Sequence, residues 1–260
     1  MGPPADGHTG RMRPPPAPLP DPRHEVAGRV QLMRDTSAAR WVEERLWSFG
    51  NGEIKVGSII PEGFAAYVRI LHPAQRRVED GGERVRWSTI ATWNGQTVHP
   101  EMQFDRIAQL PDRRATPAWG YRPPEGSLPE DYCKRLAGDL RAFTATPDEC
   151  WFCIWDGFGF LDPNRYKGVP RVRTAARQYL LYRGPLDAVC SFYWGDTWQS
   201  PNLWWPADRA WCVATDIDLP ETYAGGGNDA IDEILNDDQL EALRTTINAR
   251  VDSEADTINR

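Results

Sequence analysis

Between residues 35 and 49 the apolar residues Ala38, Trp41, Val42, Leu46 and Phe49 recur every three or four positions. That spacing puts them on one face of a helix, which Thr36 or Ser37 can cap and Gly50-Asn51-Gly52 can end. From residue 64 to 71 the period shortens to two, and Phe64, Ala66, Val68 and Ile70 share one face of a predicted strand. Residues 87–93 read as a second strand that stops at the turn signal Asn94-Gly95. Helical spacing returns over 99–110 and 130–143. The second of these has a Ser127/Glu130 capping box and a stripe of Cys133, Leu136, Ala137, Leu140 and Phe143. Residues 150–155 are apolar throughout, as in a strand covered on both faces. The pattern predicts further strands over 178–182, 188–194 and 211–218, and short helices over 228–235 and 238–243.

Strands and helices follow one another without a regular βα alternation, and no internal repeat is present. The expected class is therefore α+β: a single mixed, mainly antiparallel sheet packed by five helices. Residues 1–28 carry eight prolines and few large apolar groups, so a disordered Pro-rich tail is expected there. The domain is expected over 29–245, with an acidic tail fraying over 246–260.

Charge sharpens this picture. The 260 residues carry a net charge of −7, yet from Trp205 onward there are 4 basic and 13 acidic residues. Such an acidic end repels phosphate backbones and attracts basic partners, so a protein partner with a basic surface is expected rather than nucleic acid. No apolar run approaches the ~18 residues of a membrane span, and the first residues lack the apolar stretch of a secretory leader. Five cysteines in so long a chain do not form a disulfide scaffold, and a cytoplasmic location is expected.

Candidate chemistry concentrates near the acidic end. Along 211–218 one strand face carries Trp211, Val213, Thr215 and Ile217. The other runs from the small residues Ala210, Cys212 and Ala214 to Asp216 and Asp218. Two carboxylates about 6.5 Å apart along a strand could act as acid and base or hold a hard cation, with Asp208 and Glu221 nearby. The plainer expectation is that Asp216 and Asp218 cap the following turn. Trp198, Trp204 and Trp205 fall in a Pro-bracketed segment. There, with Asp208, they are expected to offer aromatic surface to a partner or else to lid the core. Cys150 and Cys153 have CxxC spacing but lie within one strand, which sends the two sulfurs to opposite faces, so they are expected to be buried and inert. Gly225-Gly226-Gly227 precedes a helix start crowded by Asp229, Asp232 and Glu233, and reads as a flexible joint rather than a phosphate cradle. Arg165, Lys167, Arg171, Arg173 and Arg177 form a basic run, expected to be a solvated edge. No cofactor fingerprint, HExxH or GxSxG motif occurs, and neither metal nor cofactor is expected.

The stretches 56–73 (VGSIIPEGFAAYVRILHP), 150–159 (CWFCIWDGFG) and 200–218 (SPNLWWPADRAWCVATDID) resemble an uncharacterised bacterial protein family. The resemblance spans roughly residues 50–245 and implies no activity, cofactor or catalytic residue. In general shape, as an acidic, Trp-rich α+β module, the chain is also similar to the immunity proteins that neutralise bacterial toxins. The expected function is thus protein binding in the cytoplasm. The alternative is a hydrolase or metal-assisted enzyme built on Asp216 and Asp218.

Overall fold

The computed structural model describes residues 29–49, 53–78, 81–112 and 114–259. The expectation for the Pro-rich segment 1–28 lies outside them. In chain order, β1 (Gln31–Leu32) precedes α1 (Arg40–Arg45), β2 (Ala66–Leu71), β3 (Ala74–Val78) and β4 (Gly81–Val85). Next come α2 (Trp87–Trp93), α3 (Phe104–Ile107), β5 (Gly120–Tyr121) and α4 (Glu130–Leu140). β6 (Cys150–Trp155), β7 (Val172–Arg173) and β8 (Gln178–Gly184) lead to the hairpin β9 (Tyr193–Trp194) and β10 (Thr197–Trp198). The chain then forms β11 (Leu203–Pro206), β12 (Trp211–Ala214), β13 (Glu221–Gly226), α5 (Asn228–Asn236) and β14 (Ala242–Thr245).

The class is α+β, built on a nine-stranded antiparallel sheet ordered β1-β8-β6-β11-β12-β13-β2-β14, with β7 added beside β8. One sheet was too few: β4-β3-β5 and β9-β10 make two smaller ones among the described residues. The large sheet is covered on both faces. Against one face α4 and α5 bring Leu136, Leu140, Ile231 and Ile234 onto Phe152, Trp204 and Val213. On the other, Trp41, Val42, Ile60 and Val251 cover Cys153, Leu181, Trp205 and Tyr223.

This two-sided cover corrects the tryptophan reading. Trp204 and Trp205 are not in a surface loop but in β11, between β6 and β12. Alternation sends their rings to opposite cores, Trp204 edge-on to Trp211 at 5.3 Å and Trp205 edge-on to Trp41 at 5.7 Å. Cys150 and Cys153 likewise divide between the two cores, as their spacing in a strand requires. Burial pushes the Cys150 thiol up to about 12 and raises Cys153 well above its ordinary value.

Other differences have equally local causes. Residues 87–93 form a helix because Trp87, Ile90 and Ala91 bury at helical spacing, and because the Glu241 carboxylate accepts the Trp87 and Ser88 amides at 2.6 and 2.7 Å. Residues 188–194 are mostly a 3-10 helix, Leu186–Ser191, opened by Pro185. The helix expected over 99–110 shrinks to α3, and the one expected over 238–243 gives way to β14, which fills the free edge of β2. The strand expected over 211–218 ends at Ala214, where a turn begins. Gly225 and Gly226 are buried strand residues rather than a joint. A Cβ on Gly225 would lie 2.7 Å from the Phe64 ring and 2.9 Å from that of Tyr67. Residues 246–259, expected to fray, pack onto the domain: Asp256 accepts the amides of Gln103, Ile258 and Asn259, and His99 Nε2 lies 2.9 Å from it.

Candidate functional site

Where the β12–β13 turn meets the segments around α3 and the last residues of the chain, a cleft of about 740 Å³ opens. Its lining includes the apolar side chains of Phe49, Ile54, Ile59, Phe104, Leu110 and Val251. Its walls carry seven carboxylates (Asp105, Asp112, Glu125, Asp216, Asp218, Asp252, Glu254) and three guanidiniums (Arg106, Arg122, Arg177). Concave apolar surface with a few oriented polar groups is the usual form of a binding site.

The turn itself places the two sequence-predicted carboxylates. Asp216 follows the last buried residues of β12, and its Oδ1 accepts the Asp218 amide at 3.0 Å, an Asx-type cap. Arg177, one residue before β8, reaches across and donates from Nη2 to Asp218 Oδ2 at 2.7 Å and to Asp216 Oδ1 at 3.3 Å. Asp216 is nearly enclosed, at 9% side-chain exposure, whereas Asp218 is 65% exposed. The pair thus combines a turn cap with a shared cation, and Asp218 alone offers much surface to the cleft.

Each other arginine of the cleft also faces an acid. Arg122 Nη1 lies 2.6 Å from Asp105 Oδ1, with its guanidinium over the Phe104 ring, and Arg106 Nη2 lies 3.8 Å from Glu254. Burial opposes the charge of Asp252, but hydrogen bonds from Arg250 and from the Glu254 and Ile54 amides hold its carboxyl below the usual range. With Arg250 counted beside Asp252, seven acids against four cations still leave the cleft negative.

The remaining predicted residues are elsewhere. Asp208 accepts Thr144 Oγ1 at 2.9 Å and the Ala145 amide at 2.7 Å, tying two loops together away from the cleft. Glu221 is fully buried beside Arg69. Trp198 is half-buried, its Nε1 donating to the Leu128 carbonyl at 3.3 Å, so Trp198, Trp204 and Trp205 form no common surface. The basic run divides: Arg177 belongs to the cleft, while Arg171 pairs with Asp156 at 3.0 Å. Sequence reasoning missed Arg122, Asp105, Asp252 and Glu254, whose only local signal is charge. They converge because the chain end folds back.

Beneath the turn lies a buried polar chain. His72 Nδ1 is 2.7 Å from the Pro124 carbonyl and Nε2 is 2.9 Å from Thr222 Oγ1. A carbonyl only accepts, so Nδ1 carries the proton, Nε2 accepts from Thr222, and Thr222 in turn accepts from Thr215 at 2.7 Å. Burial pushes the imidazole down to about 4, only partly opposed by the Pro124 carbonyl. In the unfolded chain it takes up a proton near 6.5, so between 6.5 and 4 the unfolded state binds more protons and stability is lost as the pH is lowered. The expected loss from this group is about 2 kcal/mol between pH 7 and 5. Urea midpoints of the wild type and His72→Gln should converge as pH drops over that range. Parallel pH profiles would contradict a neutral buried imidazole.

Comparison with protein-family models, curated proteins and solved structures gave no match.

Proposed function

We propose that the chain is a protein-binding module whose cleft receives cationic side chains of a partner with a basic surface. The observation that carries this reading is the excess of acids in a cleft that also has apolar lining. Each guanidinium already faces a carboxylate, acids remain in excess, and the apolar part of the lining suits the methylene stem of a lysine or arginine. The alternative, a hydrolase or metal-assisted enzyme using Asp216 and Asp218, finds less support. Arg177 spans the two carboxylates, and Asp216 is already engaged by the turn amide. Among the described residues no group of three or more His, Cys, Asp or Glu side chains is arranged to hold a metal ion, and no helix is long and apolar enough to cross a membrane.

The test uses a lysine- and arginine-rich peptide and an acidic peptide of equal length, titrated into the full chain at low and at higher salt. The basic peptide should bind and weaken with salt, while the acidic one should not bind. Asp218→Asn and Glu254→Gln alter exposed carboxylates, and each should weaken the basic peptide several-fold without changing the melting temperature. Equal binding of both peptides, or indifference to both substitutions, would rule out the cleft as a cation receptor.

A further inference from the structure

The cysteines that look isolated in the sequence are not all isolated in space. Cys133 is fully buried on α4, and Cys190 is half-buried on the 3-10 helix Leu186–Ser191, which packs against α4. Cys190 Sγ lies 4.0 Å from the carbonyl oxygen of Glu130. Glu130 is three residues before Cys133, so it shares that face of the helix. Cys190 therefore packs against the turn of α4 that carries Cys133, in the same core cluster. By contrast, Cys150, Cys153 and Cys212 are enclosed in the sheet cores.

We propose that Cys133 and Cys190 are a redox pair that a peroxide converts into an intramolecular disulfide, with Cys190 as the attacking thiol and Cys133 as the resolving one. The division of roles follows from position. Cys190 is the one that solvent reaches, and the neighbouring Cys133 thiol holds it below its ordinary value against the opposing effect of burial. Cys133 is shifted the other way, by its Cys190 neighbour first and then by burial, and stays protonated. In the first step the Cys190 thiolate attacks one peroxide oxygen and the O–O bond breaks. Cys190 becomes a sulfenic acid, and the other oxygen leaves as water after taking the thiol proton. In the second step Cys133 sulfur attacks the sulfenic sulfur, the S–O bond breaks, and the Cys133 proton leaves with the hydroxide as a second water. Two thiols are oxidised by two electrons, and one peroxide is reduced to two waters.

The bond would tie α4 to the 3-10 helix beside the point where Tyr193 bonds Glu130 and Ser200 Oγ accepts the Leu128 amide at 2.8 Å. A link over so long a loop constrains the unfolded chain, so the oxidised protein should melt at a higher temperature than the reduced one.

The experiment treats the full reduced chain with a small excess of hydrogen peroxide, then analyses it by intact mass and by peptide mapping without reductant. The expected product is lighter by two hydrogens, carries a Cys133–Cys190 cross-link and reverts with dithiothreitol. Cys190→Ser should lose the product entirely. Cys133→Ala should accumulate a Cys190 sulfenic acid that dimedone traps. If Cys133→Ala does not fold, the wild-type peptide map and Cys190→Ser alone decide. A cross-link through Cys150, Cys153 or Cys212, over-oxidation without a cross-link, or no reaction under conditions that oxidise a free peptide thiol would overturn the proposal.

Discussion

Replacing Arg69 by Met should destabilise the protein by about 3–5 kcal/mol, as expected when one partner of a buried ion pair is removed. Arg69 projects from β2 into the interior at 2% exposure, and its Nη2 lies 3.1 Å from Oε1 of the fully buried Glu221 on the neighbouring β13. Its Nη1 also donates to the Pro100 and Met102 carbonyls at 2.8 and 2.9 Å, and its guanidinium lies over the Trp87 ring. The guanidinium therefore joins the large sheet to the layer of α2 and α3. Without it, Glu221 keeps among the described residues only the Tyr223 hydroxyl, at 3.1 Å, as a side-chain donor. An enclosed carboxylate with one neutral donor must either stay charged at high cost or take up a proton. Adding Glu221→Gln to Arg69→Met should then recover part of the loss, giving a coupling of 1 kcal/mol or more on the scale of ~0.5–3 kcal/mol seen for contacting groups. Urea unfolding of the two single variants and the double variant measures this directly. A single-variant loss under about 1 kcal/mol, the range of exposed pairs, would show that water reaches the site.

Trp205→Ala should cost about 3–5 kcal/mol, and Trp204→Ala a similar amount, because each ring leaves a cavity in a different core. Trp205 is 1% exposed and Trp204 is fully buried, and each makes an edge-on aromatic contact that the substitution also removes. Trp198→Ala makes the contrast. That ring is half-buried at a hairpin and loses one hydrogen bond to Leu128, so a loss nearer ~1 kcal/mol is expected. Thermal and urea denaturation of the three variants should rank them in that order. Should Trp204→Ala or Trp205→Ala leave stability unchanged while abolishing binding of a basic peptide, the tryptophans would belong to an interface and not to the cores.

Periodicity in the sequence determined the elements whose partners are local or whose faces are uniform. The stripe from Cys133 to Leu140 makes α4, and the unbroken apolar runs at 150–155 and 179–182 make β6 and β8. Residues i, i+3 and i+4 meet on any helix, and successive strand residues always oppose, so these patterns need no knowledge of the rest of the chain. The Asp216–Asp218 pair was legible on the same grounds, as acids at a strand end beside a turn. Tertiary structure decided the rest. Residues 87–93 became a helix when Glu241, far along the chain, supplied the acceptor for its first amides. Trp204 and Trp205 became core when β6 and β12 closed on both sides of β11, and residues 246–259 became ordered when Asp256 found His99 and Gln103. The cleft is the extreme case, for its walls come from the segments at 49–59, 103–125, 216–220 and 251–254, with Arg177 between them. Local patterns record what a residue does with its neighbours in sequence. Burial, capping and charge pairing across such distances depend on which surfaces the folded chain brings together, and no periodicity encodes that.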